Sequence, residues 1–473
     1  MLIVTGLLIQ ATALVLLFCR LKRTWLSHIG AIFIVIAVSY HGVNEILLWA
    51  FPGHDIYRAW FSPEYLGEFV IWISLAILLC TVTYLWALGR HDTQVTPHAT
   101  NADLRRITRF FDWKVMLLVA APLVVLSVNG QGYLSNGSPQ GTSGVGVSAG
   151  LAQQFLLFAL VLAGFGFVIR FGSRWMLPVL LIECGVVALL GQRAVVIWAG
   201  ALTLYAFGRF GMRFTRRGLL VGIVILSVMA LGITSARAEE GRFSTPSGGA
   251  TRAQFLATGF AHIASAQTMH ELAQDLGHRL DGNSFGAMEL AAFASGQPHL
   301  GLTPLKNDVL LAIPSFLNPN KDSTDIGTRQ EQIYAEEHLG LVRFQVAPTV
   351  WNNSLPTQLG ITVGYFGPWG MLLAALLFGF AFGRADRWLR RGFEPARLLV
   401  GLGLLYCVMD YEGSLDTYTV TFRGILLLLM VVWAVKGMRV IAHGFGASGL
   451  THPDLTPADG STKKGPCDAV VGA

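Results

Sequence analysis

Charged residues are scarce in this chain: only 13% are Asp, Glu, Lys or Arg, against about 25% in an average soluble domain. Cysteine is scarce too, with five in 473 residues and none between positions 235 and 352. The sequence also lacks the HExxH, paired CxxC and acidic-triplet patterns that are typical of metal sites. These absences exclude a soluble globular protein and a disulfide-stabilised loop, and we predict neither a metal nor a cofactor.

Apolar residues dominate instead, at 53%, with a mean hydropathy of +0.55. A hydrocarbon core roughly 30 Å thick needs about 20 apolar residues in helix, and windows of this kind recur along the chain. We therefore predict an all-α polytopic membrane protein with about eleven transmembrane helices. The predicted spans are 2–19, 27–50, 66–88, 114–129, 150–169, 175–191, 194–208, 218–235, 354–383, 397–411 and 421–440.

Basic residues cluster in alternate connections between these spans, and such clusters mark the cytoplasmic side. The clusters contain Arg20, Lys22, Arg23; Arg90, Arg105, Arg106, Arg109, Lys114; Arg170, Arg174; Arg209, Arg213, Arg216, Arg217; and Arg384, Arg387, Arg390, Arg391, Arg397. This alternation predicts an external N-terminus, an external 235–352 segment and a cytoplasmic C-terminus. The net charge of +6 then lies at the membrane surface, which favours anionic membrane lipids and not nucleic acid as its partner.

The chain thus divides into four predicted regions. Residues 1–234 hold helices one to eight, 235–352 form a large external loop domain, 353–442 hold helices nine to eleven, and 443–473 form a disordered tail. Within the loop, the apolar spacing predicts helices over 251–280, 284–294 and 327–339. A cleaved signal peptide is the alternative interpretation of the first span, but the basic start of such a peptide is missing.

One arginine stands between two adjoining predicted spans, in the sequence Gly191-Gln192-Arg193-Ala194. Arginine among apolar helices is costly unless it pairs or reaches water, so such residues often mark a site. A guanidinium group suits bidentate contact with a diphosphate. We predict this role for Arg193; the alternative is a side chain that reaches the outer headgroups.

The external loop carries further arginines that can hold a diphosphate leaving group, since developing negative charge needs fixed positive charge nearby. These are Arg237, Arg242, Arg329 and Arg343; a solvated surface role is the alternative for each. His338, next to Glu337, is a candidate general base near neutral pH. We predict catalytic roles for His338, Glu337 and Arg329, with an exposed helix-end histidine as the alternative for His338.

A glycine-rich stretch, 360–370, marks the return of the chain into the membrane after the loop. Repeated glycine permits either close helix packing or a broken helix that approaches a ligand. The sequence leaves both interpretations open.

Three stretches resemble the O-antigen polymerase (Wzy-type) family of the O-antigen ligase superfamily. Gln192-Arg193-Ala194 is similar to the start of an Arg-containing span, and 313–321 is similar to a Pro-x-x-x-x-Pro-x-Lys stretch of the external loop. The glycine-rich segment 354–370 resembles the re-entry after that loop. The resemblance adds Lys321 to the predicted diphosphate-binding residues, which are then Arg193, Arg237, Arg242, Arg343 and Lys321.

The resemblance implies a metal-independent, inverting glycosyltransferase with a GT-C-like fold in the bacterial inner membrane, its loop in the periplasm. It implies transfer of a growing glycan from undecaprenyl diphosphate to another lipid-linked repeat unit, with a flippase and a chain-length regulator as partners. Two alternatives stay open. An O-antigen ligase would transfer the glycan to lipid A–core, and a polysaccharide flippase would carry charged residues deep within several spans, where this chain has few, Glu45 and Glu183 among them.

Overall fold

The computed structural model describes residues 1–50, 62–89, 99–131, 146–188, 193–210, parts of 212–232, 280–296, 298–311, 357–411 and 416–447, with isolated positions between them. Over these ranges every regular element is a helix. The chain forms two compact units, 1–428 and 429–473, and the second contains the C-terminal part of the last described helix.

The helices are numbered in chain order. They are α1 (Leu2–Leu21), α2 (Ile29–Val38), α3 (Asn44–Ala50), α4 (Pro63–Leu88), α5 (Asn101–Phe110), α6 (Trp113–Gln131), α7 (Gly146–Phe171), α8 (Met176–Ala188), α9 (Arg193–Arg209), α10 (Gly282–Ala294), α11 (Thr303–Leu311), α12 (Thr362–Arg390), α13 (Pro395–Met409) and α14 (Asp416–Ala447). Short 3₁₀ turns, Lys22–Ser27 and Ser173–Trp175, precede α2 and α8, and a π-helical turn, Ser39–Val43, joins α2 to α3.

Five helical segments of the described residues are long and apolar enough to cross a membrane. They are Leu2–Leu21, Ile29–Ala50, Pro63–Leu88, Thr362–Arg390 and Thr417–Ala434. Shorter apolar helices occupy Phe155–Phe171, Leu220–Met229 and Pro395–Met409. The chain is therefore an all-helical membrane protein, as its composition predicts. The count of eleven spans and the GT-C-like arrangement stay predictions, although each predicted window contains helical residues.

Local signals explain where several helices begin and end. Ser62 accepts a hydrogen bond from the Glu64 backbone and Pro63 opens α4, while Gly89, at φ +82°, follows its last residue. Helix α5 begins with a reciprocal capping box between Thr100 and Asp103. Helix α14 extends through Ala447, so the first residues of the predicted tail, 443–473, are helical.

Helices α4 and α12 approach each other closely through two glycines. Gly379 and Gly383 are spaced as in a GxxxG pattern, and both face α4. A Cβ atom at Gly383 would stand 2.7 Å from the Tyr84 carbonyl oxygen, closer than real side chains come. In a bilayer, where lipid is as apolar as leucine, such close packing is a main source of helix association.

Three of the basic connections between helices contact one another in the structure. Asp386 of α12 accepts from the backbone N–H groups of Ile29 and Gly30, at 2.9 and 3.0 Å, and so caps α2. Arg390 donates to His28 Nε2 at 2.7 Å, and Arg209 of α9 donates to the Gly392 carbonyl at 2.9 Å. The segments that charge alternation assigns to one side of the membrane therefore contact one another.

Helix α12 is broken one turn from its start. Phe366 and Gly367 leave helical geometry, with Gly367 at φ +68°, and Pro368 follows. Two carbonyls freed by the break find new donors: Leu300 N–H bonds Gly364 O and Gly301 N–H bonds Tyr365 O, each at 3.1 Å. A segment from the large loop thus completes the backbone hydrogen bonding of a membrane helix.

Candidate functional site

Helix α10 comes from the predicted external loop, yet it lies inside the helix bundle. Its residues from Gly282 to Ala292 are buried, and it packs against α4, α12 and the π-helical turn. Gly286 lies on the Phe69 ring of α4, and Gly367 lies on the Phe293 ring at the other end of α10. The sequence correctly predicts a helix here, over 284–294, but not its burial.

The glycine-rich return segment combines a helix break with close helix packing. It breaks α12 at Gly367, and it packs closely on α10, since a Cβ atom at Gly364 would stand 3.0 Å from Glu289 Oε1. The segment is therefore both closely packed and broken; the approach of the broken helix to a ligand stays a prediction.

His41 stands at the centre of a buried polar cluster next to α10. The cluster comprises His41, Asn44, Glu45, Asp281, Asn283, Thr357 and Tyr411. His41 belongs to the π-helical turn, a helix irregularity that is frequent at functional sites. His41 Nδ1 lies 2.7 Å from Asn283 Oδ1, and Nε2 lies 3.1 Å from Thr357 Oγ1 and 3.3 Å from the Tyr411 hydroxyl. Because an amide oxygen can only accept, His41 carries its proton on Nδ1 and accepts at Nε2.

Asn283 connects this imidazole to the start of α3. Its Nδ2 donates to Glu45 Oε1 at 2.8 Å, to Asn44 Oδ1 at 3.2 Å and to the His41 carbonyl at 3.1 Å. The Asn283 side chain therefore joins the loop helix to the π-helical turn and to α3.

Asp281 caps α10 from inside the cluster. Its carboxylate accepts from the backbone N–H groups of Asn283 and Ser284, both at 3.1 Å, and from Asn44 Nδ2 at 3.2 Å. The Ser284 hydroxyl adds a bond of 2.5 Å. A carboxylate at a helix N-terminus is stabilised by the helix dipole as well as by these donors. These interactions offset the cost of burying Asp281.

Gln358 and Tyr411 connect the cluster to the end of α13. Gln358 donates to the carbonyls of Cys407 and Asp410, at 2.7 and 3.0 Å, and accepts from the Tyr418 hydroxyl at 2.8 Å. The hydroxyl of Tyr411, which follows α13, lies 3.3 Å from His41 Nε2 and can donate to it.

The cluster as a whole is suited to holding the loop in place. Both nitrogens of His41 already have partners, and the ring is completely buried. His41 is thus held in place by groups of the protein on both sides of its ring. Among the described residues, no group of His, Cys, Asp and Glu is placed to hold a metal ion.

No family model matches this chain, and neither the curated proteins nor the solved structures contain a match. The site is therefore described from its own residues.

The structure describes one of the sequence-predicted site residues in part. Arg193 is the first residue of α9, and its side chain lies outside the described part of the chain. The other seven lie wholly outside it: Arg237, Arg242, Lys321, Arg329, Glu337, His338 and Arg343. Their predicted roles in diphosphate binding and catalysis stay predictions.

Glu183 is a second buried carboxyl group, away from this cluster. It lies on α8 against Gly164 of α7, and the Thr203 hydroxyl of α9 donates to its Oε2 at 2.5 Å. Among the described residues, its Oε1 has no hydrogen-bond partner. An ionisable group buried between apolar helices is costly and often functional.

Proposed function

We propose that this protein is a repeat-unit polymerase of the bacterial inner membrane. It would transfer a growing glycan from undecaprenyl diphosphate to a hydroxyl group on another lipid-linked repeat unit. The observation that carries the proposal is the insertion of a loop helix, α10, into the end of the membrane bundle. A loop rooted there can act on substrates whose lipid chains remain in the bilayer.

The loop and the membrane helices are joined by polar contacts. Asp281 and Asn283 come from the predicted loop and Thr357 follows its end, and all three contact helices or turns of the bundle. This arrangement supports a reaction centre between loop and membrane. A self-contained loop domain would need no such attachment.

The reaction can be written with the residues of this chain in defined roles. The acceptor oxygen attacks the anomeric carbon of the donor glycan, and the bond from that carbon to the diphosphate oxygen breaks with inversion. Arg193, Arg237, Arg242, Arg343 and Lys321 would hold the diphosphate as it gains negative charge. His338, assisted by Glu337 and Arg329, would take the proton of the acceptor hydroxyl. The His41–Asn283 contact would keep the loop seated.

Arg193→Ala tests the proposal directly. In the producing strain, we expect loss of polymer with single repeat units and protein abundance retained, because a positioned charge contributes to the transition state and not to folding. The matched control is Arg174→Ala, an exposed arginine on the turn before α8, which should leave chain length unchanged.

A deletion strain separates this function from its neighbour in the same class. Single repeat units without polymer indicate a polymerase, whereas polymer that remains on its lipid carrier indicates a ligase. Normal chain length in the Arg193→Ala strain would overturn the proposed site.

Transport of lipid-linked saccharide is the second candidate, and Glu183 is the observation that favours it. A carboxyl group buried among apolar helices is typical of proton-coupled carriers. In a Glu183→Gln strain, a carrier would accumulate lipid-linked repeat units on the cytoplasmic face, where they resist an external glycosidase. A polymerase would leave them accessible to that enzyme.

A further inference from the structure

Helix α11 (Thr303–Leu311) and the residue before it carry an apolar stripe that is exposed in the described part of the protein. Leu302, Leu305 and Val309 expose 61%, 37% and 53% of their surface. Their spacing of three and four residues places them on one side of the helix. Pro304 is buried on the opposite side, so the orientation of the helix is fixed and the stripe faces outward.

The start of α11 is attached to the break in α12. Leu300 and Gly301 donate backbone hydrogen bonds of 3.1 Å to Gly364 and Tyr365, immediately before the break. The stripe therefore begins at the same level of the bundle as the end of a membrane-crossing helix.

The exposed face of α12 continues from this point into the membrane. Phe366 and Trp369 are 43% and 70% exposed, and Leu373 and Leu377 further along are 53% and 61% exposed. Trp369 stands edge-on to Trp72 of α4, with the two ring centroids 5.4 Å apart. The outer face of a membrane span contacts lipid, and tryptophan is enriched where that face meets water. The stripe thus begins beside a lipid-facing surface.

A polar edge accompanies the stripe. Thr303 and Lys306 are exposed and lie next to Leu302 on the helical projection, away from Leu305. A short helix with an apolar stripe and a basic edge is typical of segments that lie in the plane of a membrane surface. The lysine ammonium group of such a helix reaches lipid phosphates.

We propose that α11 is an interfacial helix that places Leu302, Leu305 and Val309 among the acyl chains of the adjoining leaflet. Lys306 contacts the phosphate groups of the same phospholipids. The occupant of the exposed stripe is therefore the bilayer surface, because the start of α11 is attached to α12 directly before its exposed residues Phe366 and Trp369. This inference stands independently of the polymerase proposal.

Site-directed fluorescence in proteoliposomes tests the proposal with the full chain. In a Cys19→Ser, Cys467→Ser background, Leu305→Cys and Val309→Cys each receive an environment-sensitive maleimide probe. Vesicles of phosphatidylethanolamine and phosphatidylglycerol carry a spin-label quencher either near the headgroup or deep in the acyl chain. Leu8→Cys on α1, where Leu8 is 65% exposed, and Ala102→Cys on the polar helix α5 serve as lipid-facing and water-facing controls.

We expect loss of fluorescence at positions 305 and 309 with the shallow quencher, and a smaller loss with the deep one. The probe at position 102 should resist both lipid quenchers, and a probe at Thr303 should be quenched less than at 305. Fluorescence at 305 and 309 that resists both lipid quenchers would overturn the proposal. Disulfide formation between Leu305→Cys copies, at a yield that rises with protein density, would also overturn it by showing a second copy on the stripe.

Discussion

At the scale of single residues, Asn283 connects the loop to the membrane helices. Its oxygen faces His41 Nδ1 and its amide group faces Glu45 and Asn44. Asn283→Ala removes the acceptor of a buried imidazole N–H, which costs about 1–3 kcal/mol for each buried group left without its partner. We expect a clearly lower thermal midpoint in detergent, measured by the loss of monodisperse protein on gel filtration.

Asn283→Asp sharpens this test because it keeps the shape of the side chain. It retains an acceptor for His41 but replaces the amide donor with a negative charge close to Glu45 and Asp281. We expect Asn283→Asp to destabilise at least as much as Asn283→Ala at neutral pH. A thermal midpoint equal to that of the wild type would contradict the hydrogen-bond assignment around Asn283.

His28 gives the protein a predictable response to acid. Burial, followed by the positive charge of Arg390, lowers the pKa of His28 from 6.5 to about 3. His28 therefore binds a proton at a higher pH in the unfolded chain than in the folded one. As the pH falls from about 6.5 towards about 3, this difference lowers the stability of the folded protein. Asp386, which lies at the same end of the bundle, caps α2.

The measurement is the thermal midpoint of the wild type and of His28→Gln at pH 7 and pH 5. Glutamine does not titrate, so the thermal midpoint of the variant should fall less between pH 7 and pH 5 than that of the wild type. Equal losses in the two proteins would show that His28 does not carry this pH dependence. Because the comparison is a difference, carboxyl groups remote from position 28 titrate alike in both proteins and cancel.

The sequence reveals some of the residues of the polar cluster and hides others. Glu45 is conspicuous because a carboxylate within an apolar window is costly. Asp281 and Asn283 are inconspicuous because polar residues are ordinary in the polar stretch that contains them. Their importance depends on the burial of α10, a tertiary contact that local sequence does not specify.

At the scale of elements, α10 depends on glycine at its contact with α4. A Cβ atom at Gly286 would overlap the Phe69 ring, so we expect Gly286→Ala to destabilise by about 1–3 kcal/mol. Gly208 on α9 has open space around it, and Gly208→Ala should be neutral or stabilise by about 0.5–1 kcal/mol. The two variants make the same helical substitution and differ only in their neighbours.

Phe69→Leu in the Gly286→Ala background tests the cause of that effect. A smaller side chain at position 69 should recover part of the stability, a coupling that a double-mutant cycle measures in thermal midpoints or denaturant titrations. If the two substitutions were simply additive, the packing of Gly286 on Phe69 would not be the source of the destabilisation.

The break in α12 shows which features of an element local sequence can predict. Pro368 after Gly367 is a strong local signal for a broken helix, and the sequence predicts this correctly as one of two interpretations. The partner that satisfies the broken end, residues 300–301, lies in the large loop. Periodicity carries no information about such pairings because they depend on how distant segments meet.

At the scale of the whole molecule, composition and hydropathy predict the all-helical membrane class correctly. The spans themselves are harder to count, because α13 has 15 residues, fewer than the roughly 20 that a bilayer requires. The contacts between Arg209, Gly392, His28 and Arg390 agree with the charge alternation, which assigns these connections to one side. The side itself depends on the positive-inside rule.

Two serines on the surface allow a direct test of that side. Ser62 precedes α4 and Ser173 precedes α8; both are exposed, and charge alternation places Ser62 outside and Ser173 inside. In cells that express the Cys19→Ser, Cys467→Ser background, a membrane-impermeant maleimide should label Ser62→Cys directly. It should label Ser173→Cys only after the inner membrane is permeabilised.

A fluorescent protein fused to the C-terminus completes the topology and bears on the proposed chemistry. Green fluorescent protein folds in the cytoplasm and not after Sec-dependent export, so a fluorescent fusion together with an external position 62 requires an odd number of spans between them. The eleven predicted spans place nine there. The reverse labelling pattern would place the 235–352 segment in the cytoplasm, and a polymerase that acts on exported, undecaprenyl-linked repeat units would then be excluded.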